Sequence, residues 1–273
     1  MSKKITSDLK EQIIHEYLNC PTTISNIAKQ FNLSNPTICK ILACVPKYKK
    51  AQIFNPELNE TAFSVIDNEL SAYFLGLIIA DGNIFLPHDG NRQASISISL
   101  QKSDGYILEE FKKFMKTNTS VVIDNRGCCQ IAIRSNKVAD DLKNLGVLPQ
   151  KSFNTTLPNI PKDQMSHLIR GIIDGDGSIF ALKHNNKFLH SISCCGTHTL
   201  MQNMSDAISE TLNISTKPKV YDYKNRILSE FKIYNFGDTL KLGNWIYKNA
   251  TIYLKRKREM FEQIKKYHME ISR

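Results

Sequence analysis

Two short stretches of this 273-residue chain end in the same chemistry. Phe74 to Phe85 reads FLGLIIADGNIF, and Ile169 to Phe180 reads IRGIIDGDGSIF. Each apolar run closes on Asp-Gly, with Asp176 lying 95 positions after Asp81. A carboxylate at the end of an apolar helix sits at the negative pole of the helix dipole. Two such carboxylates brought together repel one another, and a divalent cation relieves the repulsion. The carboxylates of Asp81 and Asp176 and the backbone carbonyls of Ala80 and Gly175, left unpaired at helix ends, are hard oxygen donors. Water and phosphate would complete such a set around a divalent cation. Metal held between carboxylates on a basic protein is the chemistry of phosphodiester hydrolysis.

The elements that must position these groups are predicted from small residues. Gly76 and Ala80 are four apart on one helix face, and Gly171 and Gly175 repeat the spacing on the other. Small residues at i and i+4 let two helices approach almost backbone to backbone. Packed this way, the helices bring Asp81 and Asp176 together, with Gly82 and Gly177 expected in the left-handed position just past each end.

The surrounding pattern is duplicated as well. After the first apolar helix come strand-like NIFLP and SISISL, and a turn signal spans His88 to Asn91. A helix follows from a cap at Ser103, then two more strand-like runs joined through Asn125-Arg126-Gly127, and a short helix closing at Gly146. The order restarts after KSFNTTLPNIP, with a turn near Asn185-Asn186, a helix capped by Thr197, two strands and a long basic helix from about Asp238. The expected fold class is mixed α/β (α+β): two α-β-β-α-β-β-α units, over 64–150 and 151–273, related by a pseudo-twofold axis.

Ahead of them, residues 1–46 read as a small all-α helix-turn-helix domain. Asp8 to Asn19 carries a helical apolar stripe, a second helix runs from Thr22 or Thr23 to about Phe31, and Ser34 caps a third with Pro36 in its first turn. Asn32 stands where the turn needs a left-handed residue. Asn35, Thr37 and Lys40 would face a DNA major groove; a three-helix bundle without nucleic acid is the plainer alternative. Residues 47–63, with three basic side chains, read as a basic linker.

Bulk properties fit a polyanion partner. Thirty-six basic against 26 acidic residues give a net charge of +10 and a pI near 9.2. The apolar run Tyr73 to Ala80 is too short to cross a bilayer, and no apolar stretch follows the N-terminal lysines, so the expectation is an intracellular protein that is neither secreted nor membrane-bound. Seven cysteines without CxxC or Cys/His spacing point to free thiols rather than zinc or disulfides.

FLGLIIADG and IRGIIDGDG resemble the two motifs of the LAGLIDADG homing endonucleases in their single-chain form, over roughly Ser64 to the C-terminus. That resemblance implies saddle-shaped antiparallel sheets whose concave faces enter the major groove, a helix interface at Gly76, Ala80, Gly171 and Gly175, and Mg2+ at Asp81 and Asp176. It implies a monomer that cuts both strands of a long, imperfectly symmetric site and leaves short 3′ overhangs. Gln101 occupies the place of a water-organising residue; aligning CGT with QKS makes Cys195 its counterpart, which would leave the half-sites unequal. Lys232 and Arg134 are the candidate basic members, and the closing YLKRKREMFEQIKK, with Lys255 and Arg256, resembles the basic final helix of many relatives and would touch backbone phosphate. The position filled by Ile79 in one motif and Asp174 in the other carries no catalytic expectation. The ends MSKK and EISR lack the residues of a splicing intein, which favours an intron- or phage-encoded enzyme. The alternative is a cleavage-inactive relative acting as an intron RNA maturase or a transcription regulator; retention of both acids favours the enzyme.

Overall fold

The computed structural model describes residues 5–19, 24–43, 45, 57–87, 92–149, 155–185, 187–214, 219–223 and 226–271. The expected cap at Thr22 or Thr23 and the His88–Asn91 turn lie outside them. The chain divides into two compact units, Met1–Pro56 and Glu57–Arg273.

The first unit is three helices, α1 (Ser7–Asn19), α2 (Ile24–Phe31) and α3 (Asn35–Leu42), around Ile13, Ile27, Ala28, Ile38, Ile41 and Leu42. The turn between α2 and α3 follows the residue types. Asn32 adopts φ 51°, and the Leu33 N–H reaches back to the Ala28 carbonyl at 2.8 Å, closing α2 with a left-handed residue. Ser34 then caps α3, its side chain accepting from the Thr37 N–H.

The second unit repeats one plan. The first half runs α4 (Glu69–Asp81), β1 (Gly82–Phe85), β2 (Ser95–Gln101), α5 (Tyr106–Phe114), β3 (Val122–Ile123), β4 (Cys128–Arg134) and α6 (Asn136–Asn144). The second runs α7 (Met165–Asp176), β5 (Gly177–His184), β6 (Lys187–Gly196), α8 (His198–Leu212), β7 (Lys219–Tyr223), β8 (Arg226–Ile233) and α9 (Phe236–Tyr247), then α10 (Lys255–Ile271). Each half makes one four-stranded antiparallel sheet, ordered β1-β2-β4-β3 and β5-β6-β8-β7. Strict alternation in SISISLQ and CCQIAIR sends Ile96, Ile98, Leu100, Cys129, Ile131 and Ile133 inward, leaving one sheet face against the helices and the other outward.

Three local expectations change. Residues 57–63, expected at the end of the linker, belong to the second unit: Ala62 and Phe63 are buried in its core, and the Asn59 N–H donates to the Met115 carbonyl. Ser103 does not cap α5; it lies in a 3-10 turn, Lys102–Asp104, that precedes the helix. The expected long terminal helix is two, α9 and α10, because Asn249 turns left-handed (φ 56°) and Phe261 packs on Gly243, where no side chain would fit. Composition is compatible with either outcome, and the packing of α10 against α9 decides between them.

Candidate active site and nucleic-acid interface

Helices α4 and α7 meet backbone to backbone. A Cβ on Gly76 would overlap the Leu168 carbonyl and lie 3.0 Å from the Ile172 nitrogen. Symmetrically, a Cβ on Gly171 would overlap the Tyr73 carbonyl and lie 2.9 Å from the Leu77 nitrogen. At the helix ends, a Cβ on Gly175 would run into the Ala80 methyl, and an Asp81 carboxylate oxygen stands 3.2 Å from that point. All four predicted small residues, Gly76, Ala80, Gly171 and Gly175, therefore line this contact. It seats the Asp81 carboxylate against the end of α7, one residue before Asp176.

Gly82 and Gly177 are not left-handed. Their φ, ψ angles are −79°, 160° and −92°, 173°, so each is extended and each already begins a strand. Steric closeness explains the glycine: a Cβ would lie 2.6 Å from the carbonyl of Ile78 or of Ile173. The helix runs into the strand without a loop, which fixes each Asp at the junction of helix and sheet.

The second helix end is held by a residue the sequence reading missed. Lys257, on α10, is buried, and its Nζ donates to the carbonyls of Ile173, Asp174 and Gly177 at 2.6, 2.6 and 2.7 Å. A cation on the last carbonyls of a helix offsets the negative pole on which Asp176 sits. Burial draws the Lys257 pKa below the ordinary lysine value; Asp174 and, more weakly, Cys194 and Asp81 pull it back up. Asp176 lies beside β6, because Gly177 pairs with Cys194 there, and burial together with the Asp176 carboxylate pushes the Cys194 thiol up. No sequence spacing announces Lys257, because its partners are carbonyls more than seventy residues away.

Asp174 is structural. Fully buried, it accepts from the Tyr73 hydroxyl across the helix interface at 3.0 Å and from the Leu254 N–H at 2.8 Å, and burial raises its pKa. Arg170, one turn earlier and equally buried, donates to the carbonyls of Ile246 and Ile252 and pairs with Glu69 of α4 at 2.6 Å. Its NH1 also lies 2.7 Å from His167 Nδ1.

Strand register revises the match between the repeats. Gly82 faces Ile98 and Gly177 faces Cys194, so Ile98 corresponds to Cys194 and Gln101 to Thr197. Gln101 and Thr197 also share their backbone angles (φ −61°, ψ 152° and φ −62°, ψ 150°). Cys195 is therefore the counterpart of Ser99, not of Gln101. Thr197 is occupied, capping α8 and donating to the Thr155 carbonyl at 2.7 Å. Gln101 Nε2 donates to Asp104 Oδ2 at 2.7 Å, and Arg256 pairs with that same oxygen at 2.9 Å. Lys255 lies over the Tyr106 ring at 4.7 Å. Both basic residues at the start of α10 thus tie it to the first repeat, while remaining exposed.

On the outward faces, Asn83, Ser97 and Ala132 form one row across the first sheet, and Ser178, Ser193 and Lys232 the matching row across the second. Lys232 therefore has Ala132 as its partner position. Arg134 is exposed on the outward face at the far end of β4, opposite Ser95. In the first unit Asn35 and Lys40 are exposed, whereas Thr37 is half-buried with its hydroxyl 2.8 Å from Ser34 Oγ.

Among the described residues no group of three or more His, Cys, Asp and Glu side chains is placed to hold a metal, and Cys39, Cys128, Cys129, Cys194 and Cys195 form no disulfide. Two carboxylates at abutting helix ends suit a hard cation of the Mg2+ type, which takes one or two protein carboxylates and fills its shell with water and substrate phosphate. No helix among the described residues is long and apolar enough to cross a membrane.

This α+β architecture, with two antiparallel sheets and paired glycine-faced helices, is the fold of the LAGLIDADG homing endonucleases. The solved structure of the meganuclease I-AabMI bound to uncleaved DNA matches with a TM-score of 0.54 at 13% identity, over 75% of this chain and 92% of that one. I-GzeII in complex with its DNA target gives 0.56 at 13% identity, over 76% and 91%. I-LtrWI bound to target DNA gives 0.54 at 13%, over 75% and 91%. No protein-family model and no curated protein matches the sequence.

Proposed function

We propose that the chain is a metal-dependent, site-specific double-strand DNA endonuclease. One observation carries the reading: α4 and α7 touch through Gly76 and Gly171 and seat the Asp81 carboxylate against the end of α7, beside Asp176. The net charge of +10 and the DNA-bound relatives of the same fold support duplex DNA as the substrate. Bound between the carboxylates, Mg2+, or Mn2+ in its place, would lower the pKa of a water and neutralise developing phosphate charge. The chain's own residues do the rest. Asp81 and Asp176 supply the charged donors, with the carbonyls of Ala80 and Gly175 beside them. Gln101 orients water on the first side, held by Asp104, and Lys232 contributes positive charge on the second. Cleavage of the two strands would leave short 3′ overhangs. Two active centres within one chain suit action as a monomer, and the first unit, through Asn35 and Lys40, would add DNA contacts of its own.

Duplexes retained by the full-length protein from a randomised pool would supply the substrate for a plasmid-nicking assay with added Mg2+. Asp81→Asn and Asp176→Asn are expected to abolish cleavage while leaving duplex binding in place. Cleavage at the wild-type rate in both variants would sink the assignment. Retention of duplex with no cleavage by the wild type would favour a DNA-binding regulator on this scaffold.

A further inference from the structure

The outward faces of the two sheets differ in a way their shared scaffold does not require. Phe85 and Phe180 occupy equivalent places, four residues past each Asp, and are 51% and 42% exposed. In the second repeat the apolar surface continues. Leu182 lies two residues beyond Phe180 on the same side of β5, and Leu189 faces Leu182 directly across β6; they are 47% and 48% exposed. The corresponding residues of the first repeat are Pro87 and Gln93. Around them its outward face carries Ser95, Ser97, Ser99, Gln130 and Arg134, and its further exposed apolar residue, Val122, stands apart from Phe85 on the edge strand β3, opposite Gln130.

Three large apolar side chains held together in water on one sheet face mark a contact surface. The charge around this one indicates its partner. Residues 182–190, the hairpin that carries the patch, include no acid; His184 and Lys187, paired at its end, share the face of the patch, and Lys232 stands on the same face. A basic rim around an apolar centre matches the DNA major groove, where phosphates border the base edges and the thymine C5 methyl is the apolar feature displayed.

Building on the endonuclease reading above, we infer that the two repeats read their half-sites by different chemistry. The first sheet reads hydrogen-bonding edges through Ser, Gln and Arg134. The second reads thymine methyl groups through Phe180, Leu182 and Leu189, so the half-site it covers is thymine-rich.

The test replaces thymine by uracil, which removes the methyl group and leaves every hydrogen-bonding edge intact. Duplexes retained by the full-length protein from a randomised pool are resynthesised with single T-to-U changes, and equilibrium binding is measured. About a fourfold loss of affinity is expected at each contacted thymine, all within one half-site. Leu182→Ser combined with Leu189→Ser changes two half-exposed positions that lie outside the core cluster. It should remove the uracil sensitivity in that half-site and leave the other half unchanged. Uracil duplexes bound as tightly as thymine duplexes, or sensitivity that survives the double variant, would overturn the inference while leaving the endonuclease reading intact. Failure to retain any duplex would remove both.

Discussion

Helices α4 and α7 are equivalent in the fold, yet they are built differently away from the face they share. On that face they match: Gly76 with Gly171, Ala80 with Gly175, Asp81 with Asp176. Beside that central contact α4 carries Ala72, Leu75 and Ile79, where α7 carries His167, Arg170 and Asp174. The polar set follows from its neighbours. Arg170 and Asp174 bind the end of α9 at Ile246 and the chain between α9 and α10 at Ile252 and Leu254, and Lys257 of α10 closes the same helix end. The shared contact tolerates no atom beyond hydrogen at the two central glycines, so the halves agree there. Where each helix meets a different neighbour, its residues are free to differ.

The comparison can be broken hardest at its centre. Gly171→Val drives a side chain into the Tyr73 carbonyl on a backbone that cannot move aside. A loss of about 4 kcal/mol or more in denaturant unfolding is expected, with Gly76→Val behaving alike. Giving α7 the residue of α4, as Arg170→Leu, leaves Glu69 and two backbone carbonyls without their buried cation. The expected cost is about 3 kcal/mol. The reverse exchange, Leu75→Arg, would bury an unpaired charge and be at least as harmful.

Chemistry offers a sharper comparison with less effect on stability. Each of Asp81→Asn and Asp176→Asn should slow cleavage by about a hundredfold or more, with the fold retained and checked by unfolding midpoint. Because Lys232 has Ala132 as its counterpart and Gln101 has Thr197, Lys232→Ala is expected to slow one strand more than the other, read as accumulation of nicked circles. Equal slowing of both strands would argue that the two centres do not work separately.

The smallest effect is a pH dependence confined to α7. Burial and the neighbouring Arg170 hold His167 below the ordinary histidine value of 6.5. Below that value the unfolded chain binds more protons than the folded one, so stability present at neutral pH is lost as pH falls from about 6.5 toward the lowered pKa. Melting temperatures measured from pH 7.5 to 5 should fall less steeply for His167→Gln than for the wild type.

Periodicity and small-residue spacing alone made much of this molecule legible. The duplicated element order, the Gly76–Gly171 contact, the caps at Ser34 and Thr197 and the left-handed Asn32 all follow from local chemistry that a few neighbouring residues determine. Tertiary structure alone decided the rest. Gly82 and Gly177 looked like left-handed caps, but extended backbone pressed against the preceding helix turn also requires glycine, and sequence cannot separate the two. Gln101 corresponds to Thr197 rather than Cys195 because register depends on which carbonyls bond across a sheet, and a one-residue slip leaves composition unchanged. Lys257 reads as one more charge in a basic run; only the fold brings its ammonium to three carbonyls of a helix end, since hydrogen bonds to backbone leave no mark on the partner's residue type.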